Sequence, residues 1–403
     1  MGIAGFEVRT SAVRSESGRG RGVNSGVTSL RGWLGRMSEE LGVGVGKALS
    51  SDATREVDGF TSPVTDRALQ SALKKSTDVT RYRLVGRRLY RFPRERTPDK
   101  AWLVPTEQGF EGWLTRLIGL VPAEVEVPDM EFAANLGDYP VRGAPILTWW
   151  SCDGYGNARM PSGVHWQEDP AVPLDDPTVR GDRRFDAASL ERPWAERENR
   201  VVWRGSATGM YDRTFRGRRL KVLLGRPLGR GIARLDLAHI GEVHPSVIDA
   251  KLVDWPQLSG LLRRRLQARY GRHPRVPPTW YLRHRYVINV DGNVATSSFL
   301  TFLGSGSAVL KQESPYLDWC GERLRPREHY LPFARDLSDL VPVAEDALAH
   351  PQRGAEIARA GRDFAERFLT GAAVDYYMLA LLERYATVAP RPTEPGRGAI
   401  DVR

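Results

Sequence analysis

Residues 286–310, YVINVDGNVATSSFLTFLGSGSAVL, contain the pattern that decides the fold class. An apolar run at 287–290 ends in the turn 291–293, and a second apolar run at 308–310 follows the small residues of 304–307. Apolar strands that end in glycine-containing turns before helical stretches are typical of a parallel sheet covered by helices. The sequence therefore predicts an α/β protein.

The same pattern recurs upstream. Strands are predicted at 132–136 before Gly137-Asp138-Tyr139-Pro140, at 146–149, and at 201–203 before Arg204-Gly205-Ser206. The last part of the chain is predicted to be helical, because apolar residues share helix faces within 357–368 and within 374–385.

The chain divides into parts by composition. Residues 167–199 are rich in Asp, Pro and Arg with little apolar periodicity, which fits a connection between two α/β lobes. The predicted parts are a flexible or variable region at 1–79, an N-terminal lobe at 80–197, a C-terminal lobe at 198–350, C-terminal helices at 351–387 and a polar tail at 388–403.

Composition excludes several classes of protein. Of 403 residues, 41% are hydrophobic and 27% charged, as in a soluble globular protein. Two cysteines, Cys152 and Cys320, cannot build a disulfide scaffold or a four-thiolate zinc site. No apolar run reaches the roughly 18 residues of a membrane-spanning helix, and residues 1–22 lack the apolar core of a signal peptide. We expect a cytoplasmic location.

The net charge of +10 comes from arginine, since seven Lys leave 59 − 7 = 52 Arg. Arginines cluster at Arg213, Arg216, Arg218 and Arg219, and at Arg263, Arg264, Arg265, Arg269, Arg272 and Arg275. Guanidinium groups bind phosphate in a bidentate geometry, so the clusters would suit nucleic acid, a membrane surface or the phosphates of a nucleotide. The scarcity of Lys favours a general replacement of Lys by Arg, which makes nucleic acid an unlikely partner.

A basic amphipathic helix is predicted at 28–41. Its apolar residues recur at helical spacing: Leu30, Trp33, Leu34, Met37 and Leu41. Such a helix could make a peripheral membrane contact, or its apolar stripe could dock on the protein itself.

Several motifs of metal- and nucleotide-dependent enzymes are absent. No Asp lies two residues from another Asp, the arrangement by which many sugar transferases hold a divalent cation on a nucleotide. The seven His form no HxxxH or HExxH pair, and the sequence has no GxxxxGK[ST] loop and no GxSxG turn. We therefore expect chemistry without a metal.

Polar groups at predicted strand ends are the candidate site residues, because ligands of open parallel sheets bind beyond the carboxyl ends of the strands. Asp138 could be a general base or a turn-forming residue that caps local amides. The loop 204–209 offers a cation and hydroxyls, and the loop 291–298 leads into a helix whose N-terminus could take an anion. Either loop could equally be a structural turn. Glu313 and His329 are further polar candidates.

Together these segments resemble glycosyltransferase family 90, the CAP10-like and protein O-glucosyltransferase family. The likeness is carried by VVWRGSATG at 201–209 and by the segment 286–340, and it covers roughly residues 125–385. Upstream, NLGDYP at 135–140 and MPSGVHW at 160–166 resemble two shorter motifs of the family.

The resemblance implies a GT-B-like fold, in which two Rossmann-type lobes flank a cleft and the C-terminal helices return to the first lobe. It also implies inverting, metal-independent transfer of glucose or xylose from a UDP-sugar to a hydroxyl of a glycan, a lipid-linked precursor or a protein serine. The UDP-sugar is then a co-substrate, and no cofactor is implied.

Carried over residue by residue, the resemblance makes Asp138 the general base. It assigns donor binding to Arg204, Gly205, Ser206, Thr208, Arg218, Ala295, Thr296, Ser297, Ser298 and Glu313. The resemblance places Tyr139, Ser162 and Trp166 on the acceptor side or in the cleft. Because Ser298 stands where the family usually has an arginine, Arg283 and Arg285 are the candidates to supply the missing charge.

Two alternatives remain open. The serine at 298 would fit a UDP-sugar-binding protein without transfer activity, and the arginine clusters would fit a nucleic-acid or membrane-surface binding protein. Salt separates the second alternative from the enzyme, because affinity that rests on many phosphate contacts falls steeply with ionic strength.

Overall fold

A computed structural model describes residues 28–94, 103–161, 192–209, 232–256, 260–296 and 298–402. Four predicted site residues lie outside these ranges: Ser162, Trp166, Arg218 and Ser297. The described helices and strands form two large sheets with helices packed on them. This confirms the predicted α/β class.

Within the described residues, the first half of the chain contributes four helices and eight strands. The helices are α1 (Leu30–Glu40), α2 (Val45–Asp58), α3 (Asp66–Lys75) and α4 (Leu103–Leu120). The strands are β1 (Thr28–Ser29), β2 (Val79–Val85), β3 (Arg88–Arg91), β4 (Val125–Glu126), β5 (Met130–Asn135), β6 (Leu147–Thr148), β7 (Ser151–Cys152) and β8 (Ala158–Arg159).

The second half contributes the remaining described elements. Its strands are β9 (Glu198–Ser206), β10 (Ile248–Asp254), β11 (His284–Asn289), β12 (Ala308–Gln312), β13 (Tyr316–Leu317), β14 (Leu331–Phe333) and β15 (Ile400–Asp401). Its helices are α5 (Ala233–Val243), α6 (Gly260–Tyr270), α7 (Pro278–Tyr281), α8 (Ser298–Leu303), α9 (Leu340–Ala349), α10 (Pro351–Phe368) and α11 (Gly371–Ala386). Two short 3₁₀ helices are Trp194–Glu196 and Gly321–Arg323.

A five-stranded sheet lies in the second half and is parallel throughout, in the order β10-β9-β11-β12-β14. Val201 and Val202 in β9 and Val287 and Ile288 in β11 are buried on both faces of the sheet. Burial on both faces explains why these strands are continuous apolar runs in the sequence. The strand order reverses between β9 and β11, and the parallel sheet predicted from 286–310 is confirmed.

The other large sheet has the order β15-β3-β2-β5-β6-β8 and is mixed. Only Gly86 and Arg87 join β2 to β3, both with positive φ (55° and 68°). A connection of two residues can join only antiparallel strands. β2 is also antiparallel to β5, whereas β5, β6 and β8 run parallel. This sheet therefore differs from the Rossmann-type lobe that the resemblance implied for the first half.

The N-terminal region, expected to be flexible or variable over 1–79, contains three helices from residue 30 onward. Leu49 on α2 and Leu69 on α3 are fully buried in the core. Glycine in this stretch allows close packing, since a side chain at Gly46 would collide with Ser38 of α1. These helices are stabilised because they bury their apolar faces against elements distant in sequence.

The last helix, α11, packs along α2 in the first half. The Tyr376 hydroxyl lies 2.7 Å from Ser50 Oγ, and the Tyr385 hydroxyl donates to the carbonyl of Pro145 (2.8 Å). The last of the C-terminal helices thus returns to the first half of the chain. The predicted polar tail also contains a strand, β15, which pairs with β3.

The amphipathic helix expected at 28–41 is α1, capped by Ser29, whose Oγ accepts from the Gly32 amide. Leu30 and Leu34 are buried, and Trp33, Met37 and Leu41 pack against the core. The apolar stripe therefore docks on the protein itself, so the surface that a peripheral membrane contact through this helix requires is covered. Among the described residues, no helix combines the length and apolarity needed to cross a membrane.

A buried guanidinium, that of Arg159 in β8, joins the two halves. It donates to the carboxylate of Glu56 on α2 (Nε to Oε1, 2.8 Å) and to Glu322 Oε1 (2.7 Å). It also donates to the carbonyl of Asp318 (3.2 Å), while the Arg159 carbonyl accepts from the Tyr377 hydroxyl (2.8 Å). Close by, β7 pairs with β13. The two halves of the chain are thus tied together beside these strands.

We predict that Glu111 on α4 makes stability depend on pH. Burial raises the pKa of Glu111 from 4.5 to about 7, although the charge of Arg91 acts to lower it. Between these two values the folded protein binds a proton that the unfolded chain has released, so stability falls as pH rises through this window. Glu111→Gln keeps an acceptor for the Tyr82 hydroxyl. It should remove this fall and raise the free energy of unfolding above pH 7 by up to about 3 kcal/mol.

Chemical denaturation at a series of pH values measures the effect. Glu124→Gln is the matched control, because Glu124 is exposed and should leave the pH dependence unchanged. An unaltered pH dependence in Glu111→Gln would show that this carboxyl is ionised in the folded protein.

Candidate functional site

Two loops leave the parallel sheet where its strand order reverses, 206–209 after β9 and 290–296 after β11. Ligands of open parallel sheets bind in the crevice outside such a reversal. The predicted donor-site residues Ser206 and Thr208 lie at the first loop, and Ala295 and Thr296 lie on the second. The fold brings these residues together although the sequence separates them widely.

Arg234, at the start of α5, connects the two loops. Its Nη1 donates to Thr208 Oγ1 (2.7 Å), and its Nη2 donates to Thr296 Oγ1 (3.1 Å). It also donates to three backbone carbonyls of the loops, those of Ser206, Val290 and Asp291. A positive charge is therefore fixed at the reversal point, with hydroxyls of both loops around it.

Arg234 was not among the residues predicted from the sequence. It is one of 52 arginines and lies in the segment GIARLDLA, which matches no motif. Arg234 lies at the start of the first described helix after β9. This position indicates a site residue only when the strand order is known.

Two glycines allow the loops to approach each other. Gly209 has a φ of 95°, and a side chain there would lie 3.0 Å from the Gly292 carbonyl oxygen. A side chain at Gly292 would lie 2.8 Å from Thr208 Oγ1 and 3.1 Å from Arg234 Nη2. A larger residue at either position would push the loops apart.

Asp138 lies in the turn that follows β5, and the turn is held by other residues. The Asn135 side chain accepts from the Gly137 amide (3.2 Å) and donates to the Tyr139 carbonyl (2.7 Å). A side chain at Gly137 would collide with Asp78, so the turn packs closely on the start of β2. The backbone capping that was one interpretation of Asp138 is thus done by Asn135.

The Asp138 carboxylate instead contacts the loop after β11. Its Oδ2 accepts from Asn293 Nδ2 (3.2 Å), and the side chain is partly exposed. The predicted general base therefore lies beside the loops that Arg234 connects. A carboxylate, a guanidinium and hydroxyl groups therefore meet at this place.

The predicted donor residue Arg204 is engaged in an ion pair with Asp249 of β10. Its Nη2 donates to Asp249 Oδ2 (2.8 Å) and its Nη1 to Asp249 Oδ1 (3.1 Å), while its guanidinium stacks over Trp280 (4.5 Å to the ring centroid). Burial acts to raise the pKa of Asp249, but the hydrogen bonds and charge of Arg204 outweigh it and lower that pKa. To contact a diphosphate, Arg204 would have to share its guanidinium with this carboxylate. Beside it, Gly205 lies against the Trp203 indole.

Ser298 is the first residue of α8, and its hydroxyl accepts from Asn289 Nδ2 (3.1 Å). Arg285, expected to supply a charge here, lies at the amino end of β11. It donates to the carbonyls of Trp194 (3.1 Å) and Ala195 (3.2 Å). Arg283 precedes the same strand end. Both belong to the opposite edge of the sheet, so that expectation is corrected: among the described residues, the arginine that hydrogen-bonds to the loop after β11 is Arg234.

Glu313 follows β12 at the carboxyl edge of the sheet and its side chain is exposed, with its amide bound to the Phe333 carbonyl (2.9 Å). His329 is half-buried, its Nδ1 accepts from the Arg325 amide (2.9 Å), and its ring lies 5.3 Å from that of Phe364. Neither contacts the loops that Arg234 connects. Within the described ranges, no three His, Cys, Asp or Glu side chains come together as a possible metal site.

Comparison with known proteins gives a consistent family. Residues 225–398 match the model of glycosyl transferase family 90. Protein O-glucosyltransferase 2 of Danio rerio is 27% identical over 292 residues, 69% of this chain and 51% of that protein. Protein O-glucosyltransferase 3 of Homo sapiens is 25% identical over 281 residues, 65% of this chain and 48% of that protein.

Protein O-glucosyltransferase 1 of Homo sapiens is 24% identical over 324 residues, 76% of this chain and 72% of that protein. The chain spans about half the length of the first two relatives. The family match includes Arg234 and the loop 290–296, whereas Asp138 and the loop 206–209 precede it. The family match and these relatives together support the resemblance to glycosyltransferase family 90.

Proposed function

We propose that the chain is a glycosyltransferase that moves glucose or xylose from a UDP-sugar to a hydroxyl acceptor, with inversion and without a metal. One observation carries the proposal: Asp138 lies within hydrogen-bond distance of the loop after β11, which Arg234 connects to the loop after β9. The relatives named protein O-glucosyltransferases favour glucose. The acceptor is a glycan, a lipid-linked precursor or a protein serine.

The arrangement proposed for this reaction is GT-B-like. The five-stranded sheet would bind the nucleotide-sugar. The six-stranded sheet, in which Asp138 follows the carboxyl end of β5, would face the acceptor. The reversal of strand order between β9 and β11 supports the first assignment, since nucleotides bind at such points. The packing of α11 along α2 supports the return of the chain to the first lobe.

The reaction needs one displacement. Asp138 takes the proton of the acceptor hydroxyl, and the acceptor oxygen attacks the anomeric carbon of the sugar. The bond from that carbon to the diphosphate oxygen breaks, and UDP leaves with the bonding electrons. Attack from the face opposite the leaving group inverts the anomeric carbon, so a single base suffices.

Negative charge grows on the leaving diphosphate as its bond breaks. The Arg234 guanidinium and the hydroxyls of Ser206, Thr208 and Thr296 are the groups we assign to stabilise it. Their positions are fixed before the reaction, because Arg234 is bound to both loops. A fixed positive charge in a crevice can do the electrostatic work that a metal ion does in other transferases.

Asp138→Asn should retain UDP affinity and slow turnover about 10²- to 10⁴-fold, the usual effect of removing a general base. Isothermal titration calorimetry with UDP and release of UDP from UDP-glucose measure the two quantities. Asp153→Asn is the matched control, since Asp153 is exposed in the turn after β7 and should behave like wild type. Turnover within tenfold of wild type would remove Asp138 from the mechanism.

Arg234→Ala should weaken UDP binding about 10- to 100-fold, because it removes a positive charge beside the proposed diphosphate site together with the five hydrogen bonds by which Arg234 holds the two loops. Arg285→Ala provides the control, since Arg285 also binds backbone carbonyls but at the opposite sheet edge. Calorimetry with UDP measures both. Equal affinities in the two variants would show that the diphosphate does not bind at the reversal point.

Turnover should survive EDTA. The proposal rests on the absence of an Asp-x-Asp pair and on the charge of Arg234. Loss of UDP release on chelation, with recovery on adding Mn²⁺, would contradict metal independence while leaving the site residues in place.

A further inference from the structure

We propose that Asn293 is a positioning residue that fixes the carboxylate of Asp138 for proton transfer. The inference rests on the proposed function, because it takes Asp138 as the general base. Nothing in the sequence singled out Asn293 beyond its place in the turn Asp291-Gly292-Asn293. Its role follows from what its side chain amide contacts.

The Asn293 side chain forms hydrogen bonds to groups from different parts of the fold. Its Nδ2 donates to Asp138 Oδ2 (3.2 Å), and its Oδ1 accepts from the Gly209 amide (3.1 Å). The opposite amide orientation would place the Asn293 oxygen against a carboxylate and its NH₂ group against an N–H donor. The chemistry of the two neighbours therefore fixes the amide in one orientation.

Asn293 itself is held from a third direction. Its carbonyl accepts from the Tyr316 hydroxyl (3.4 Å), and Tyr316 lies in β13, which pairs with β7 of the first half. The Gly292 amide donates to the Val294 carbonyl (3.0 Å), which closes the turn. Asn293 is thus held in place by contacts that do not involve Asp138.

The contact leaves Asp138 one oxygen for chemistry. Oδ2 accepts from Asn293, and among the described residues Oδ1 accepts no hydrogen bond. Because Oδ2 is hydrogen-bonded to Asn293, rotation of the carboxylate about the Cβ–Cγ bond is restricted. Oδ1 therefore points in one direction. A general base must lie within hydrogen-bond reach of the proton it removes, so this restriction acts on the rate of the chemical step.

Asn293 also connects the base to the donor side. The Gly209 amide, which donates a hydrogen bond to Asn293 Oδ1, belongs to the loop after β9. The same loop carries the Thr208 hydroxyl that accepts from Arg234. The orientation of the base is therefore set relative to the groups that would hold the diphosphate. By contrast, Asn135 keeps the turn after β5 in place without help from Asn293, so loss of Asn293 should leave that turn folded.

Asn293→Asp separates the two contacts. An aspartate keeps an oxygen for the Gly209 amide and replaces the donor to Asp138 with a carboxylate. We expect UDP affinity within about threefold of wild type, and kcat for release of UDP from UDP-glucose, with water as acceptor, lowered about 10- to 100-fold. Asn199→Asp is the control, because Asn199 is an exposed residue at the far end of β9.

A double-mutant cycle with Asp138→Asn distinguishes positioning from a general structural effect. If Asn293 acts through Asp138, adding Asn293→Asp to Asp138→Asn should change kcat by less than about twofold. Losses that multiply would overturn the positioning role, and so would a normal kcat in Asn293→Asp alone.

The failure of the proposed function has a different signature. If Asp138→Asn turns over UDP-glucose like wild type, or wild type turns over neither UDP-glucose nor UDP-xylose, the base assignment fails and the role of Asn293 fails with it. If Asp138→Asn is slow while Asn293→Asp is normal, the proposed function stands and only the positioning role is lost.

Discussion

The position of the site depends on one buried guanidinium, that of Arg159. It joins Glu56 of α2 to the segment 318–322 that follows β13. The backbone carbonyl of Arg159 accepts a hydrogen bond from the Tyr377 hydroxyl of α11. A buried charge that loses one partner costs about 3 to 5 kcal/mol, so these elements are strongly coupled. Beside this junction, β13 brings Tyr316 to the carbonyl of Asn293. The buried charge of Arg159 thus ties together the elements next to the strand that contacts the loop after β11.

The parallel sheet and the loops of the site could be predicted from the sequence because the signals are local. Apolar runs that end in glycine turns at 201–209 and 286–310 mark strands and their carboxyl ends, and those ends are where ligands of such sheets bind. Asp138 was selected in the same way, as a polar residue directly after an apolar strand. These inferences need no knowledge of which strands are neighbours.

The groups that join the loops could not be predicted, because their roles depend on strand order. Arg234 reaches both loops only because β9 and β11 are adjacent, and the sequence gives no register for that pairing. Arg285 is close to Ser298 in sequence, which favoured it as the source of the missing charge. The strand β11 runs between the two residues, so they lie at opposite edges of the sheet. Arg204 was correctly placed at the end of β9, but its ion pair with Asp249 required the pairing of β9 with β10 to be known.

The pairing of β15 with β3 and the packing of α11 along α2 have a consequence for how the chain folds during synthesis. The six-stranded sheet takes its edge strand from residues 400–401 and part of its core from 371–386. The first half can therefore collapse early but cannot complete its core until the second half has been synthesised. Contacts so distant in sequence slow folding and leave apolar surface of the first half exposed in the meantime. Chaperone binding to the nascent first half would be most useful in that interval.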